Sequence, residues 1–224
     1  MAVDAILPIF VALPLIVSAV TALSPWRKLN NTLAIAIPAI NLAMGVWLYL
    51  YTTEHGTIAH VIGLYQGGVG ISFAADTFSA VMIVTTMIVA LTSNWFAIAV
   101  GETQARFYTP LSLVLITGVC GALLTADLFN FFVMIEVCLL PSYGLIAMSG
   151  TRHRLLSARM FVLVNLAAST MLVLGVGYLY AVTGVVNLAS LQGVAAGNGP
   201  ATVATGIVVI AIAAKAGVFP VYTW

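Results

Sequence analysis

Apolar residues along this chain fall in long unbroken runs, separated by short stretches where polar residues, glycine and proline collect. A helix needs about 20 mostly apolar residues to cross the hydrocarbon core of a bilayer. Seven segments reach or approach that length: residues 5–23, 32–53, 77–100, 109–124, 127–148, 158–182 and 201–219. The runs do not alternate with the period of two that a membrane β-barrel requires. The pattern therefore predicts an all-α integral membrane protein of seven transmembrane helices. The fourth and fifth spans meet at a tight corner, Thr125, Ala126 and Asp127, where Asp127 is placed to cap the fifth helix. Gly67 and Gly68, between residues 61–65 and 69–73, predict a short hairpin after the second span. In the segment 184–200, Val185, Val186, Leu188, Leu191 and Val194 predict a short interfacial helix before a Gly-Asn-Gly-Pro turn.

Composition strengthens this reading. Of 224 residues, 62% are apolar and 6% are charged, and the mean hydropathy is +1.16. So few charges do not make a water-soluble surface. A net charge of +1 with no basic run excludes nucleic acid as a partner. Cys120 and Cys138 are too few and too isolated for a disulfide framework or a zinc site. The first apolar run has no basic residue before it, so it reads as a retained span and not a cleaved leader. Walker, GxGxxG, CxxCH and four-cysteine patterns are absent, so no cofactor and no resident metal are expected.

The basic residues set the orientation. Arg27 and Lys28 follow the first span, Arg106 the third, and Arg152, Arg154 and Arg159 the fifth. The other set of connections holds no lysine or arginine at all. Six against none predicts a multi-pass inner or plasma membrane protein with its N-terminus outside and these basic loops cytoplasmic. The alternation also supports the count of seven, because a missed helix would scatter the charges over both faces.

Two ionisable residues remain inside helices. Glu136 lies about 13 Å along the fifth span and Lys215 about 21 Å along the seventh, at about 1.5 Å per residue. Burying either one costs roughly 2.5–3.5 kcal/mol on insertion scales. Such residues usually face the bundle interior and serve ion paths, proton relays or counter-ion roles. Burial favours the neutral form of either group and a close opposite charge favours the charged form, so a movable pair is a proton switch. A structural ion pair joining two helices is the competing reading. Pro220, five residues after Lys215, removes a backbone donor and predicts a break in the helix near the lysine. Asp127 and Tyr143 are secondary candidates; capping suits Asp127, and Tyr143 carries the one hydroxyl on an otherwise dry face with Phe129, Phe132, Val133 and Leu140. Asp76 also reads as a cap, and Asn41 and Asn165 as bridges between helices. His55 and His60 lack a third metal ligand.

The stretch from Gly121 to Glu136, continuing through Pro141 to Tyr143, resembles the signature of the antiporter-like membrane subunits. So does the run from Ala214 through Lys215 to Pro220, with Tyr222 and Trp224. That superfamily includes subunits of complex I, of membrane-bound hydrogenases and of Mrp sodium/proton antiporters. The form Asp-Leu-Phe-Asn-x-Phe-Val-x-x-Glu at Asp127–Glu136 most resembles that of the Mrp D-type subunits, although Pro141 is commoner among complex I relatives.

The resemblance implies that Glu136 and Lys215 are the charged pair of a proton path and that Pro220 marks a broken seventh helix. It implies a subunit of roughly fourteen helices with inverted repeats, of which this chain is the N-terminal portion. Residues 1–100 would be peripheral helices and residues 109–224 an incomplete first repeat. The expected partners are other subunits of a membrane antiporter complex, the lipid bilayer, protons and Na⁺. The expected activity is secondary transport and not catalysis. A proton-pumping subunit of a complex I-like or hydrogenase-like oxidoreductase is the second reading, and a non-conducting structural subunit the third.

Overall fold

The computed structural model describes residues 3–63, 70–148, 150–194 and 197–222. A 3₁₀ turn, Val3–Ile6, leads into α1 (Ile9–Leu23) and α2 (Arg27–His55). Two short strands follow, β1 (Ile58–Val61) and β2 (Ser72–Ala75), then α3 (Thr77–Val100). After a second 3₁₀ turn at Glu102–Gln104 come α4 (Tyr108–Leu124), α5 (Leu128–Ala147) and α6 (Arg152–Thr183). A one-turn helix, α7 (Leu188–Leu191), precedes α8 (Gly199–Lys215).

Among the described residues, five helical segments are long and apolar enough to cross a membrane: Asp4–Leu23, Arg27–His55, Thr77–Val100, Leu128–Ala147 and Arg152–Thr183. The apolar helices α4 and α8 have 17 residues each, about 25 Å, slightly less than a hydrocarbon core of about 30 Å. Large apolar side chains project outward along the long helices; Trp95 is 71% exposed and Phe78 68%. On a membrane-spanning helix such a face meets lipid.

Several boundaries differ from the sequence pattern. The arginines expected in connecting loops mostly lie on helices. Arg27 and Lys28 open α2, and Arg152, Arg154 and Arg159 occupy the first turns of α6; only Arg106 sits in a connection. A helix satisfies its own backbone, so it continues past the apolar run into the interface while long basic side chains reach water. The hairpin forms, but its strands sit further from the turn than expected, with Ile58 opposite Ala75 and Val61 opposite Ser72. The ladder is extended by Ile62 N–H to Ile71 O at 2.8 Å. Gly67 and Gly68 lie outside the described residues. The interfacial helix shrinks to the four residues of α7, capped by Asn187, whose Oδ1 accepts from Ala189 and Ser190.

α1 packs on α4, α2 on α3, α4 on both α1 and α5, and α6 on α5 and α8. The larger core joins Phe10, Ile37, Leu48, Ile83, Leu113 and Leu124 from the first four helices. A smaller one holds Leu172 and Val176 of α6 against Val208 and Ala211 of α8, with Phe132 and Ile135 of α5 beside it. Gly118 lets α4 approach α5 closely, since a Cβ there would sit 2.5 Å from the Cys138 backbone nitrogen.

Two prolines inside helices organise the polar contacts of the first core. Proline has no N–H, so the carbonyl four residues earlier loses its helical partner. Pro14 thus frees Phe10 O, which accepts from Asn41 Nδ2 of α2 at 3.3 Å. Pro38 frees Ala34 O, which accepts from Asn94 Nδ2 of α3 at 2.8 Å. Asn94 Oδ1 in turn accepts from Tyr108 and Ser112 of α4, at 3.1 and 2.9 Å. Asn41 bridges helices as expected. For Asn165 the hydrogen bond seen among the described residues is within its own helix, its Nδ2 donating to Phe161 O at 2.9 Å.

The opposite ends of the spans are stitched by backbone. Phe73 of β2 bridges Thr125, Asp127 bridges Asn187, and Asn187 Nδ2 donates to Ser72 Oγ at 2.6 Å. The hairpin, the α4–α5 corner and the start of α7 are thereby held together. His60 Nδ1 lies 2.9 Å from Asp4 Oδ2, fastening the hairpin to the N-terminal turn.

Replacing Asn94 by leucine leaves the Ala34 carbonyl without a partner and is expected to lower stability by about 1–3 kcal/mol. With Pro38→Ala in place the helix supplies that partner itself, so the same change should cost measurably less. Unfolding of the four proteins in mixed micelles reads this coupling, and strictly additive effects would remove the proline–asparagine account.

Candidate functional site

Glu136 lies in the middle of α5, Ser169 in the middle of α6 and Lys215 at the last residue of α8. Cα–Cβ bonds tilt toward the N-terminus of a helix, so a lysine on a final turn reaches back along its own helix. The three side chains meet. Lys215 Nζ is 2.6 Å from Ser169 Oγ and 3.5 Å from Glu136 Oε1, the latter at the outer limit of a hydrogen bond. Ser169 Oγ also makes a short hydrogen bond to the same Glu136 Oε1. An ammonium has only donors, so the serine oxygen accepts from Lys215 and its own proton is directed to the carboxylate. The result is a chain of three groups on three helices: ammonium, hydroxyl, carboxylate.

Packing holds this chain in place. The Lys215 side chain is 8% exposed and that of Glu136 25%. Ser169 is buried at 4%, one turn from Asn165 on the same face of α6. Gly175, further along α6, admits α8: a Cβ there would lie 2.9 Å from Val208 Cγ2. α5 is the open side of the site. Phe129 and Leu140, expected on a dry interior face with Glu136, are 50% and 64% exposed, because the described helices cover only part of α5.

α8 ends at Lys215, five residues before Pro220, and a glycine closes it. Gly217 adopts φ +68°, and its N–H donates to Ala214 O at 3.2 Å while Val218 N–H donates to Ala213 O at 3.0 Å. These two bonds satisfy carbonyls that a helix end would otherwise expose, and they close α8 immediately after Lys215. Pro220 lies in the turn beyond, three residues after Gly217.

The secondary candidates lie apart from the cluster. Asp127 caps α5, accepting from Asn130 N–H at 2.8 Å. It sits nine residues before Glu136, about 13 Å along the helix. Tyr143 packs its ring edge-on against Phe161 at 5.5 Å, and among the described residues no hydrogen bond joins its hydroxyl to the cluster. Ser169 is the residue the sequence reading missed. Its signal was faint, a hydroxyl one turn from Asn165 in a run of apolar and small residues, and serine at such a position commonly bonds its own helix instead.

A multi-helix membrane protein with a buried three-group cluster is what this fold and site define. The family model described as NADH:quinone oxidoreductase/Mrp antiporter, TM, matches residues 125–224. A relative from Alkalihalophilus pseudofirmus, the D-type subunit of a Na⁺/H⁺ antiporter, is 34% identical over 82% of this chain and 38% of its own length. A chain in the Mrp complex from Dietzia sp. DQ12-45-1b superposes with a TM-score of 0.96 at 42% identity, over all of this chain and 43% of that one. A chain of respiratory complex I from Thermus thermophilus with bound NADH gives 0.81 at 25% identity, over 97% of this chain and 45% of that one. Residues 125–224 thus match the model of that family, and over most of its length the chain is similar to antiporter-like membrane subunits. It spans less than half the length of the relatives it matches.

Removing one member of a buried charged pair leaves the other uncompensated, at a cost of about 3–5 kcal/mol. Glu136→Gln and Lys215→Met are each expected to lower thermal stability in lipid nanodiscs. The double variant should recover most of the loss. Independent, additive losses in that cycle would show that the two groups are not paired in the membrane.

Proposed function

We propose that this chain is a subunit of a multi-subunit Mrp-type Na⁺/H⁺ antiporter and that protons pass through Lys215, Ser169 and Glu136. The observation that carries the proposal is the continuous hydrogen-bonded chain from ammonium to carboxylate. The match of residues 125–224 to the family model supports it, as does similarity to relatives named as D-type subunits of sodium/proton antiporters. On this reading α4 and α8 also cross the bilayer, giving seven spans. The face carrying Arg27, Arg106 and Arg154 is cytoplasmic, and the protein works in the cell membrane with other antiporter subunits.

The transfer step conserves charge and atoms. Lys215 Nζ gives a proton to Ser169 Oγ as the Ser169 O–H proton passes to Glu136 Oε1. One N–H and one O–H bond break, two O–H bonds form, and serine is unchanged at the end. An ion pair becomes a neutral amine and a neutral carboxyl; burial favours the neutral pair and the closeness of the opposite charges favours the ion pair. Glu136, on the open side of the site, then releases its proton when the lysine is recharged.

A second reading, the proton-pumping membrane subunit of an oxidoreductase, is favoured by the similarity to the complex I chain. The redox centres would lie on other subunits. Flavin or iron–sulfur absorbance in the purified assembly would select it over the antiporter.

Antiport in everted vesicles, normalised to assembled complex, tests the proposal. Glu136→Ala and Lys215→Ala should each lower the rate by at least about 100-fold. Ser169→Ala should lower it by about tenfold or more, and Ser169→Thr, which keeps the hydroxyl, should restore it. Near-normal rates for Glu136→Ala and Lys215→Ala would overturn the relay. A normal rate for Ser169→Ala alone would remove the serine and leave direct transfer. Changed assembly with an unchanged rate per complex would indicate a structural role for the chain.

A further inference from the structure

At the basic end of the bundle, away from Glu136 and Lys215, the α1–α2 and α3–α4 connections enclose a polar cavity of about 340 Å³. Arg27, Asn30, Asn31, Gln104, Arg106 and Thr109 border it, and none of its lining residues is acidic. Among the described residues neither arginine has a carboxylate within ion-pair distance. Glu102, the nearest acid in sequence, lies 3.6 Å from Arg154 instead. Arg106 rests over the ring of Phe107, 5.4 Å from its centroid.

Three further features make the cavity short of an anion. α2 starts at its edge with no side-chain cap and no acidic residue in its first turn. Ser24 Oγ accepts from Trp26 N–H, at 3.2 Å, ahead of the helix proper. A helix N-terminus carries partial positive charge, and here Arg27 and Lys28 add to it where an acid would offset it. Asn30 is the third feature. It is 8% exposed, and its Nδ2 donates to Thr21 O and Ser24 O at 3.3 and 3.4 Å, which fixes the amide orientation. Its Oδ1 is left buried without a partner. A ligand with a hydroxyl beside its anionic group would offer the arginines an anion and Asn30 Oδ1 a donor.

The position of the cavity separates lipid from soluble anion. It lies where membrane-crossing helices end, and aromatic residues flank both arginines: Trp26 is 71% exposed and Phe107 52%. Exposed aromatics beside basic residues mark the headgroup level of a bilayer. The volume admits roughly ten water-sized molecules at about 30 Å³ each, enough for a phosphoglycerol headgroup. We propose that this cavity binds the headgroup of an anionic phospholipid, its phosphate between Arg27, Arg106 and the start of α2 and its hydroxyl near Asn30.

The shared chemistry is a phosphate group, which phosphatidylglycerol and free inorganic phosphate both carry. The assembled protein in neutral detergent is titrated with phosphatidylglycerol, phosphatidylcholine or inorganic phosphate, following the melting temperature and, by native mass spectrometry, the lipid retained. Phosphatidylglycerol is expected to raise the melting temperature and remain bound, with phosphatidylcholine and phosphate giving little response. Arg27→Gln with Arg106→Gln should weaken phosphatidylglycerol binding at least about tenfold. Arg152→Gln with Arg159→Gln, which removes the same charge elsewhere on this face, should leave it unchanged. If the glutamine pair does not assemble, Arg27→Lys with Arg106→Lys keeps the charge but loses the paired donors and should still weaken binding. An equal response to inorganic phosphate, an undiminished response in the Arg27 and Arg106 variants, or an equal loss in the Arg152 and Arg159 variant would each overturn the proposal.

Discussion

Inside a hydrocarbon layer a polar group has no water to fall back on, and the arrangement of these helices follows from that shortage of partners. Pro14 and Pro38 each deprive a carbonyl of its helical bond, and an asparagine from another helix takes each one. Asn94 then spends its remaining acceptor on two hydroxyls of α4, so one amide ties three helices. Ser18 of α1 donates to Pro110 O of α4 at 3.0 Å, a further polar contact between helices. Apolar packing alone discriminates poorly between neighbours in lipid, because lipid tails are as apolar as leucine. Paired polar groups and close glycine contacts such as Gly118 against α5 supply the discrimination.

The same constraint applied to full charges builds the site. Glu136 and Lys215 would each be costly alone in a membrane, and Ser169 completes a chain between them by accepting from Lys215 and donating to Glu136. α8 closes at Gly217, so the lysine stands on the last helical residue and reaches back toward the other two groups. The site is therefore made by a helix end, a mid-helix carboxylate and a mid-helix hydroxyl. Only the packing of α6 against both α5 and α8 brings them together.

The two ends of the bundle differ in kind. One is stitched by backbone pairing among the hairpin, the α4–α5 corner and α7, and it carries no lysine or arginine in those connections. The other concentrates arginines at helix starts and in the α3–α4 connection, and it encloses the polar cavity beside Arg27 and Arg106. Such an asymmetry suits a protein that must keep one orientation in a membrane whose leaflets differ in charge.

Much of this was legible along the chain. Unbroken apolar runs, the one-sided arginines, the capping of α5 by Asp127 and the cost of Glu136 and Lys215 all follow from local chemistry that needs no partner. The family motif carried Glu136 and Lys215 as a pair but did not point to Ser169. What the tertiary structure alone decided depends on who meets whom. Asn41 bridges helices because a freed carbonyl faces it, whereas among the described residues Asn165 bonds its own helix. Gly217 closes α8 three residues ahead of Pro220, because a left-handed glycine can return the last carbonyls to the chain before the proline is reached. Ser169 became visible only as the point where three helices converge: a hydroxyl acquires its role from the two groups on either side, and sequence spacing cannot state a distance between helices.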